Sequence, residues 1–284
     1  MSFRHIRTSA AGLALAVGVT TGSALLPASS GPLGVPAAQA VSKGMFKVIC
    51  PLSHSAMDDP IVFPRQPGKA HLHNFFGNTG TDAYSTPASL RSSGTTCQNR
   101  GDKAAYWVPA LYQGGKLVRP EVSQVYYRAS NADRTKIRPF PAGLKMVAGD
   151  SKSIRPQPLG VAAWNCGPVA RFQDSSPPTC NPGENLRVRI RFPECWDGKN
   201  LDSADHRSHL AYLVKGDRCP ATHPVAVPRL DIEVHYATRG GSGVTLSSGS
   251  AYSAHGDFIN AWDPPELARQ VKRCLNGGII CNAV

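Results

Sequence analysis

Three histidine-containing segments carry the residue types that could do chemistry in this 284-residue chain. They are His71-Leu72-His73, residues 202–209 and residues 255–263. Each places imidazoles beside carboxylates or amides in a polar setting, where functional groups tend to collect. We therefore predict one shared site, with these candidate catalytic residues: His71, His73, Asp205, His206, His209, His255 and Asp257.

A metal is one way to use such a site. In an extended strand, residues two apart point to the same face, so His71 and His73 can present two imidazoles together. Imidazole pairs suit Zn²⁺ or Cu²⁺, and the cofactor is left open with a divalent metal at this pair as one candidate. The simpler alternative is that these histidines only hydrogen-bond loop backbone, with Asp205 and Asp263 serving as turn or cap residues.

Candidates for substrate binding lie near the same segments. They are Tyr106, Trp107, Trp196, Asp197, Asp202 and Trp262. The aromatic rings among them could stack on sugars or fill the core, and core packing is the commoner role for any single ring. The sequence has no G-x-S-x-G and no H-E-x-x-H motif, which disfavours a serine hydrolase elbow and a zincin helix.

Hydrophobic alternation predicts that strands position these residues. In residues 185–192, four apolar side chains face one way and three arginines face the other. In residues 230–236, Ile232 and Val234 are expected inside, whereas Asp231, Glu233 and His235 are expected to face solvent. Two further strand segments, 105–112 and 117–127, flank a Gly-Gly turn at positions 114 and 115 and predict a hairpin.

A helix is predicted at the C-terminal end. Asp263 can act as its N-cap, Pro264 takes the first helical position and Glu266 completes a capping box. Leu267, Val271 and Leu275 then form an apolar stripe. Together these elements predict a mainly β, antiparallel β-sandwich-like single domain over residues 41–284, with long loops and a C-terminal helix.

The N-terminus and the cysteines predict export. Arg4 and Arg7 precede a short apolar stretch, and Ala38-Gln39-Ala40 fits a signal peptidase site, so residues 1–40 are predicted to be a signal peptide. The stretch is too short for a stable membrane span, so no membrane anchor is expected after cleavage and the protein is expected to be extracellular. Eight cysteines in an exported chain predict four disulfides, and we expect neighbour pairing: Cys50–Cys97, Cys166–Cys180, Cys195–Cys219 and Cys274–Cys281.

Charge points to the class of partner. The net charge of +12 falls to +10 once Arg4 and Arg7 leave with the signal peptide. A basic surface outside the cell attracts polyanions, which favours an acidic polysaccharide or the cell wall as partner. Nucleic acid is disfavoured, because the chain has no lysine-rich run and no alternation of basic and aromatic residues.

Six motifs in order resemble one known family. They are HLHNFFGN at 71–78, AYWVPALY at 105–112, PFPAGLKMVAG at 139–149, FPECWDGKNLDSADHRSHLAY at 192–212, HPVAVPRL at 223–230 and HGDFINAWD at 255–263. This order resembles the DUF1996 family, a secreted domain of unknown function found in actinobacteria and fungi. The matching histidines and aspartates are His71, His73, Asp197, Asp202, Asp205, His206, His209, His255 and Asp257. The resemblance implies which domain this is, but it implies no activity and no particular cofactor.

The favoured hypothesis is a secreted hydrolase or lyase that acts on polysaccharide through a His/Asp site. One alternative is a non-catalytic module that binds glycan or cell wall through the basic face of residues 185–192. Another is an extracellular protein that binds Zn²⁺ or Cu²⁺. The enzyme hypothesis requires the three histidine segments to meet in one open pocket.

Overall fold

Antiparallel strand pairing dominates the structure, a computed structural model that describes residues 44–167 and 172–282. The strands in chain order are β1 (Met45–Ala56), β2 (His73–Gly77), β3 (Ala105–Pro109), β4 (Leu111–Gln113), β5 (Lys116–Val118), β6 (Pro120–Arg128), β7 (Lys145–Gly149), β8 (Ala162–Cys166), β9 (Leu186–Arg191), β10 (Cys195–Trp196), β11 (Leu210–Ala211), β12 (Val225–Ala226), β13 (Arg229–Tyr236), β14 (Val244–Leu246), β15 (Gly249–Ser250), β16 (His255–Ile259) and β17 (Ile280–Cys281). Two short α-helices are α1 (Pro87–Ser92) and α2 (Pro264–Gln270).

Ten of these strands form one large sheet. Its order is β7-β16-β3-β2-β1-β6-β13-β9-β8, and β17 pairs with β1 in parallel at one end. Two smaller sheets, β11-β10-β12 and β15-β14-β4-β5, lie among the loops. The prediction of a mainly antiparallel β fold with long loops and a C-terminal helix is confirmed.

The large sheet curls so that its two halves face each other across the main core. The close approach of β16 to β9 shows this, because a Cβ added to Gly256 would lie 3.3 Å from Ile190 Cγ2. Tyr106 and Phe258 from one half share the core with Val234 from the other. The facing layers therefore come from one sheet, as expected when strand twist accumulates over many strands.

One half of the sheet is buried on its outer face as well. A second apolar cluster lies there, separate from the main core, and consists of Ile61, Phe75, Leu90, Ala105, Trp107, Val147, Ile259 and Ala261. Ile61 comes from the loop between β1 and β2, and Leu90 comes from α1. These two segments cover β2, β3, β16 and β7, so side chains on both faces of those strands are removed from solvent.

The polar face of β13 departs from the prediction. Asp231 and Glu233 point away from the main core, yet their exposed fractions are only 1% and 6%. Arginines of the neighbouring strands cover Asp231: Arg128 Nε lies 3.0 Å from Oδ2 and Arg191 Nε lies 3.0 Å from Oδ1. The expectation that these two acidic residues face solvent is wrong: arginines of β6 and β9 cover Asp231, and burial raises the pKa of Glu233 to about 7.

The predicted Gly-Gly hairpin is present between β4 and β5. Gly114 and Gly115 have φ values of +57° and +79°, a conformation that favours glycine and matches the twist of a tight hairpin. Each of the two predicted strand segments beside this turn, 105–112 and 117–127, is divided between the large sheet and the β15-β14-β4-β5 sheet. The chain leaves the large sheet after Pro109 to form β4, and it returns to that sheet at Pro120 to begin β6.

The C-terminal helix begins as predicted, with one difference. Asp263 caps α2 by accepting a hydrogen bond from Glu266 N at 3.3 Å. The Glu266 carboxylate does not complete a capping box, since it accepts hydrogen bonds from Asn99 Nδ2 at 3.0 Å and Arg269 Nη2 at 2.7 Å. A π-helical turn, Val271–Asn276, continues α2, and the apolar stripe of Leu267, Val271 and Leu275 is buried as predicted.

All four predicted disulfides are present: Cys50–Cys97, Cys166–Cys180, Cys195–Cys219 and Cys274–Cys281. The signal peptide predicted for residues 1–40 lies outside the described residues and stays a prediction. Within the described part of the chain, no helix is long and apolar enough to cross a bilayer.

A buried chain of hydrogen bonds links the β3 end of the core to the start of α2. Trp262 Nε1 donates to Tyr127 Oη at 2.8 Å, and Tyr127 and Tyr106 hydroxyls lie 2.6 Å apart. Tyr106 Oη donates in turn to Asp102 Oδ2 at 2.8 Å. Burial raises the pKa of Asp102 to about 8, despite the hydrogen bonds from Tyr106 and Ala104 N that act to lower it.

Replacing Asp102 with Asn is expected to flatten the fall in stability with rising pH. The native state keeps the Asp102 proton up to about pH 8, whereas the unfolded chain loses it near 3.8, so stability decreases as pH rises between these values. The slope from this one group is at most about 1.4 kcal/mol per pH unit. Urea unfolding of both proteins at pH 5, 6, 7 and 8 checks this, and parallel pH profiles would contradict it.

Candidate functional site

Because side chains alternate between the two faces of a strand, two of the histidine segments place functional side chains on the outer face of the sheet. On β2, His73 lies opposite Pro109 of β3. On β16, Asp257 lies opposite Trp107, and His255 precedes it by two residues on the same face. The neighbouring residues Gly256 and Phe258 point instead into the main core. The sheet therefore places His73, His255 and Asp257 side by side beneath the loops that cover this face.

His71 joins them because the backbone before β2 is fixed to the β3–β4 connection. Ala110 N donates to Leu72 O at 2.9 Å, and Ser247 Oγ donates to the same carbonyl. The ring centroids of His71 and His73 are then 4.2 Å apart, and His71 Nε2 lies 3.1 Å from His255 Nε2. Two imidazoles that are 184 positions apart in sequence thus meet edge to edge.

Residues 202–209 form a tight turn beside this cluster. Asp205 Oδ1 organises it by accepting hydrogen bonds from Ser203 Oγ, Arg207 N and Ser208 N. These hydrogen bonds hold the pKa of Asp205 well below its usual range, so this carboxylate stays ionised. The turn is fastened to β7 through Arg207 Nη2, which donates to Gly149 O at 2.7 Å.

His206 stands at the tip of this turn with an unusual backbone. Its φ of +59° lies in the left-handed region, which is strained for a residue other than glycine and is often found at functional sites. Its Nδ1 lies 2.8 Å from Asp202 Oδ1, and Lys145 Nζ donates to Asp202 Oδ2 at 3.1 Å. The ring is therefore oriented by a carboxylate that is itself held by a lysine.

The three histidine segments converge at one open cavity of about 610 Å³. Its lining includes His71, Asp205, His206, His255 and Asp257 from the predicted set. His73 is fully buried behind this lining, in ring contact with both His71 and His255. We call the group of His71, His73, His255 and Asp257 the floor of the pocket. The structure thus brings together six of the seven candidate catalytic residues, whose individual roles stay predictions.

Burial determines the protonation of the histidines in the floor of the pocket. Desolvation lowers the pKa of His255 to about 3, and it places the pKa of His73 well below its ordinary value, with neighbouring histidines acting in the same direction. Desolvation also raises the pKa of Asp257 well above its ordinary value, and the nearby Asp59 adds to this. The imidazoles of the floor are therefore neutral bases at pH 7.

Asp59 is a pocket residue that the sequence analysis missed. Its Oδ1 accepts hydrogen bonds from Ile61 N and Val62 N, both at 2.9 Å, and its exposed fraction is 4%. Burial raises the pKa of Asp59, although those two hydrogen bonds oppose the shift. In the sequence, the Asp59-Pro60 pair signals only a turn. Further lining residues that were missed are Phe63, Asp150, Lys152 and Ser248.

His209 is the predicted catalytic residue that the structure does not bring to the cavity. It is 1% exposed, its Nδ1 lies 2.9 Å from Ser203 Oγ and its Nε2 lies 2.8 Å from Lys145 O. Its Nε2 therefore fastens the turn to β7, while its Nδ1 contacts Ser203 within the turn itself. These contacts give His209 a structural role, and the catalytic role predicted for it stays a prediction.

The predicted substrate-binding residues also fall outside the cavity. Asp197 accepts hydrogen bonds from Lys199 N and Asn200 N in a local turn, and Trp196 Nε1 donates to Asn200 O at 2.6 Å. Asp202 positions His206 instead of facing the cavity. None of these three residues lines the cavity, and their role in substrate binding stays a prediction.

Three aromatic rings predicted to stack on sugar are core residues instead. Tyr106 and Trp107 are fully buried, and Trp262 is 1% exposed. Their burial follows from the covering of both faces of β3 and from the packing of α2. The ring that does line the cavity is Phe63, from the loop between β1 and β2.

Comparisons with known proteins identify a family. A family model described as "Domain of unknown function (DUF1996)" matches residues 59–262, which is well over half of the chain. The match begins at Asp59 and includes every pocket residue discussed above. No curated protein and no solved structure matches the chain.

Replacing His209 with Ala is expected to destabilise the protein by about 2–3 kcal/mol, because it removes a buried ring and the hydrogen bond from His209 to Lys145 O. The matched control is His235→Ala, which removes a partly exposed histidine on β13 and is expected to cost less than about 1 kcal/mol. Urea unfolding at pH 7 measures both. Equal stability of the two variants would contradict the structural role of His209.

Proposed function

This chain belongs to the DUF1996 family, and we propose that its His/Asp pocket is the active site of an enzyme that cleaves polysaccharide outside the cell. The observation that carries the proposal is the convergence of His71, His206 and His255, from three distant segments, on one cavity open to solvent. Pockets of a few hundred Å³ with a small number of convergent polar groups are typical of ligand and active sites.

His206 is the residue proposed to transfer the proton. Its Nδ1 faces the Asp202 carboxylate, so the neutral ring carries its hydrogen there and keeps the Nε2 lone pair free to act as a base. Hydrolysis and β-elimination of a glycosidic linkage both need a positioned group that accepts and returns a proton. The Asp202–Lys145 pair orients His206 in the way that a carboxylate orients the histidine of a catalytic triad.

The cavity walls suit a carbohydrate chain. Among the lining residues, Phe63 offers an apolar surface, while Asp150, Lys152 and Ser248 offer donors and acceptors for hydroxyl groups. Sugars present this same combination of apolar faces and polar edges. The polysaccharide expected from the basic net charge would enter from the open side.

The basic face of β9 supports a non-catalytic binding role less strongly than the pocket supports an enzyme. Arg191 of this face is paired with Asp231, which also accepts a hydrogen bond from Arg128 of β6, and Arg229 of β13 lies 3.7 Å from the same carboxylate. These pairings reduce the positive field that a non-catalytic module would use to hold an acidic polymer. The pocket is therefore the stronger basis for a function.

The His206→Asn variant tests the proposed function. Asparagine tolerates the left-handed backbone at this position but lacks the basic ring, so the fold is expected to persist while cleavage falls by about 10²–10⁴-fold. The assay is a panel of neutral and acidic polysaccharides, with reducing ends measured for hydrolysis and ultraviolet absorbance of unsaturated products measured for elimination.

The control for this assay is His235→Ala, which lies on β13 outside the pocket and should cleave at the wild-type rate. Two results would overturn the proposal. One is cleavage by His206→Asn at the rate of the wild type. The other is wild-type protein that cleaves nothing in the panel, whether or not divalent metal is present.

A further inference from the structure

The tautomers of two pocket histidines are fixed by backbone carbonyls. His73 Nδ1 lies 2.9 Å from Asp58 O, and His255 Nδ1 lies 2.8 Å from Ser253 O. A carbonyl oxygen only accepts, so both Nδ1 atoms carry the hydrogen and both Nε2 atoms present a lone pair. Histidines that ligate a metal show this arrangement, in which the other ring nitrogen donates to backbone or carboxylate.

These two lone pairs lie in a group of three imidazoles completed by His71, whose Nε2 would give up its hydrogen on binding a metal. Suitable nitrogen atoms of His71, His73 and His255 all lie within 4.8 Å of one another. The Nε2 atoms of His71 and His255 are 3.1 Å apart. Two nitrogens bound to one tetrahedral zinc ion at about 2.0–2.1 Å would lie about 3.3–3.4 Å apart, so little movement separates this geometry from coordination.

Several ligand atoms at this place have no partner within the described residues. His73 Nε2 and both carboxylate oxygens of Asp257 are buried without a hydrogen bond. His73 and Asp257 are 0% and 1% exposed. Leaving a buried carboxylate unpaired is costly, and proteins usually pair such groups or use them to coordinate a metal.

A second carboxylate lies in the same group. Ligand atoms of Asp59, His73 and Asp257 also lie within 4.8 Å of one another, so His73 is common to both sets. The backbone N–H groups of Ile61 and Val62 hold Asp59 Oδ1 in place. With both carboxyl groups ionised, as coordination of a metal requires, the two carboxylates would carry a charge of −2, which one divalent cation would neutralise in this buried setting.

We propose that the floor of the pocket is a binding site for one Zn²⁺ ion, with His71, His73 and His255 as nitrogen ligands and Asp257 as the carboxylate ligand. Asp59 lies beside this set and supplies the second negative charge. Three imidazoles with a carboxylate suit Zn²⁺, and His71, the most exposed of the ligands, leaves the ion accessible from the cavity. This inference deepens the proposed function and rests on the same pocket, but it concerns binding and is tested without substrate.

The test measures zinc directly. Full-length protein, purified without a histidine tag, is stripped with chelator, dialysed against Zn²⁺ and assayed by mass spectrometry for one bound ion per chain. Saturating zinc, at about 100 times the dissociation constant, should raise the unfolding temperature by about 5–10 °C. Replacement by Co²⁺ should give the visible spectrum of a tetrahedral site.

Two variants and one control locate the site. His71→Ala is the main variant, because His71 is only partly buried and the fold should tolerate its loss; Asp257→Asn removes the carboxylate charge. Since loss of even an outer partner of a metal ligand typically costs 10–100-fold, we expect each variant to bind zinc at least about 100-fold more weakly. His235→Ala, on a different part of the sheet, should bind as the wild type does.

The inference is overturned if the stripped wild type takes up no zinc, or if His71→Ala and Asp257→Asn both bind it with wild-type affinity. These outcomes are distinct from failure of the proposed enzyme. Zinc-loaded protein that cleaves no polysaccharide overturns the enzyme and keeps the metal site. Protein that cleaves polysaccharide and takes up no zinc overturns the metal site and keeps the enzyme.

Discussion

Alternation along β16 is the constraint on which both the core and the pocket depend. Gly256 and Phe258 face β9 and the main core, whereas His255 and Asp257 face the pocket, although all four are buried. A shift of one residue in the pairing of β16 would exchange the two sets and place a carboxylate in the apolar core. The packing of the curled sheet and the polar floor of the pocket are therefore specified by the same register.

Local patterns predicted the parts of the fold that local physics decides. The period-two segments became β9 and β13, the Gly-Gly pair became a hairpin turn, and Asp263 became a helix cap. Burial of the outer strand faces was not predictable in this way. The cover over Trp107 comes from a loop and a helix elsewhere in the chain, and the cover over Asp231 comes from arginines on neighbouring strands.

The site was predicted at the level of segments more accurately than at the level of residues. His206 and His209 lie three positions apart in the same polar run, yet one reaches the cavity and the other is locked under it. The turn organised by Asp205 separates them, and no periodicity in the sequence reveals it. Asp59 was missed for a related reason, since its position depends on where a loop folds back over the sheet.

Gly256 has a consequence for how this sequence can vary. A methyl group at this position would lie 3.3 Å from Ile190 Cγ2, slightly closer than ordinary van der Waals contact, and 3.4 Å from Phe192 Cζ. Alanine at 256 therefore requires Ile190 to move by a few tenths of an ångström, and bulkier residues require more. Residues 255 and 257 are the neighbours of Gly256 on the same strand. A movement of the strand at Gly256 would therefore displace an imidazole and a carboxylate without any direct contact with either. The shape of the pocket is thus sensitive to mutations on the opposite face of the sheet.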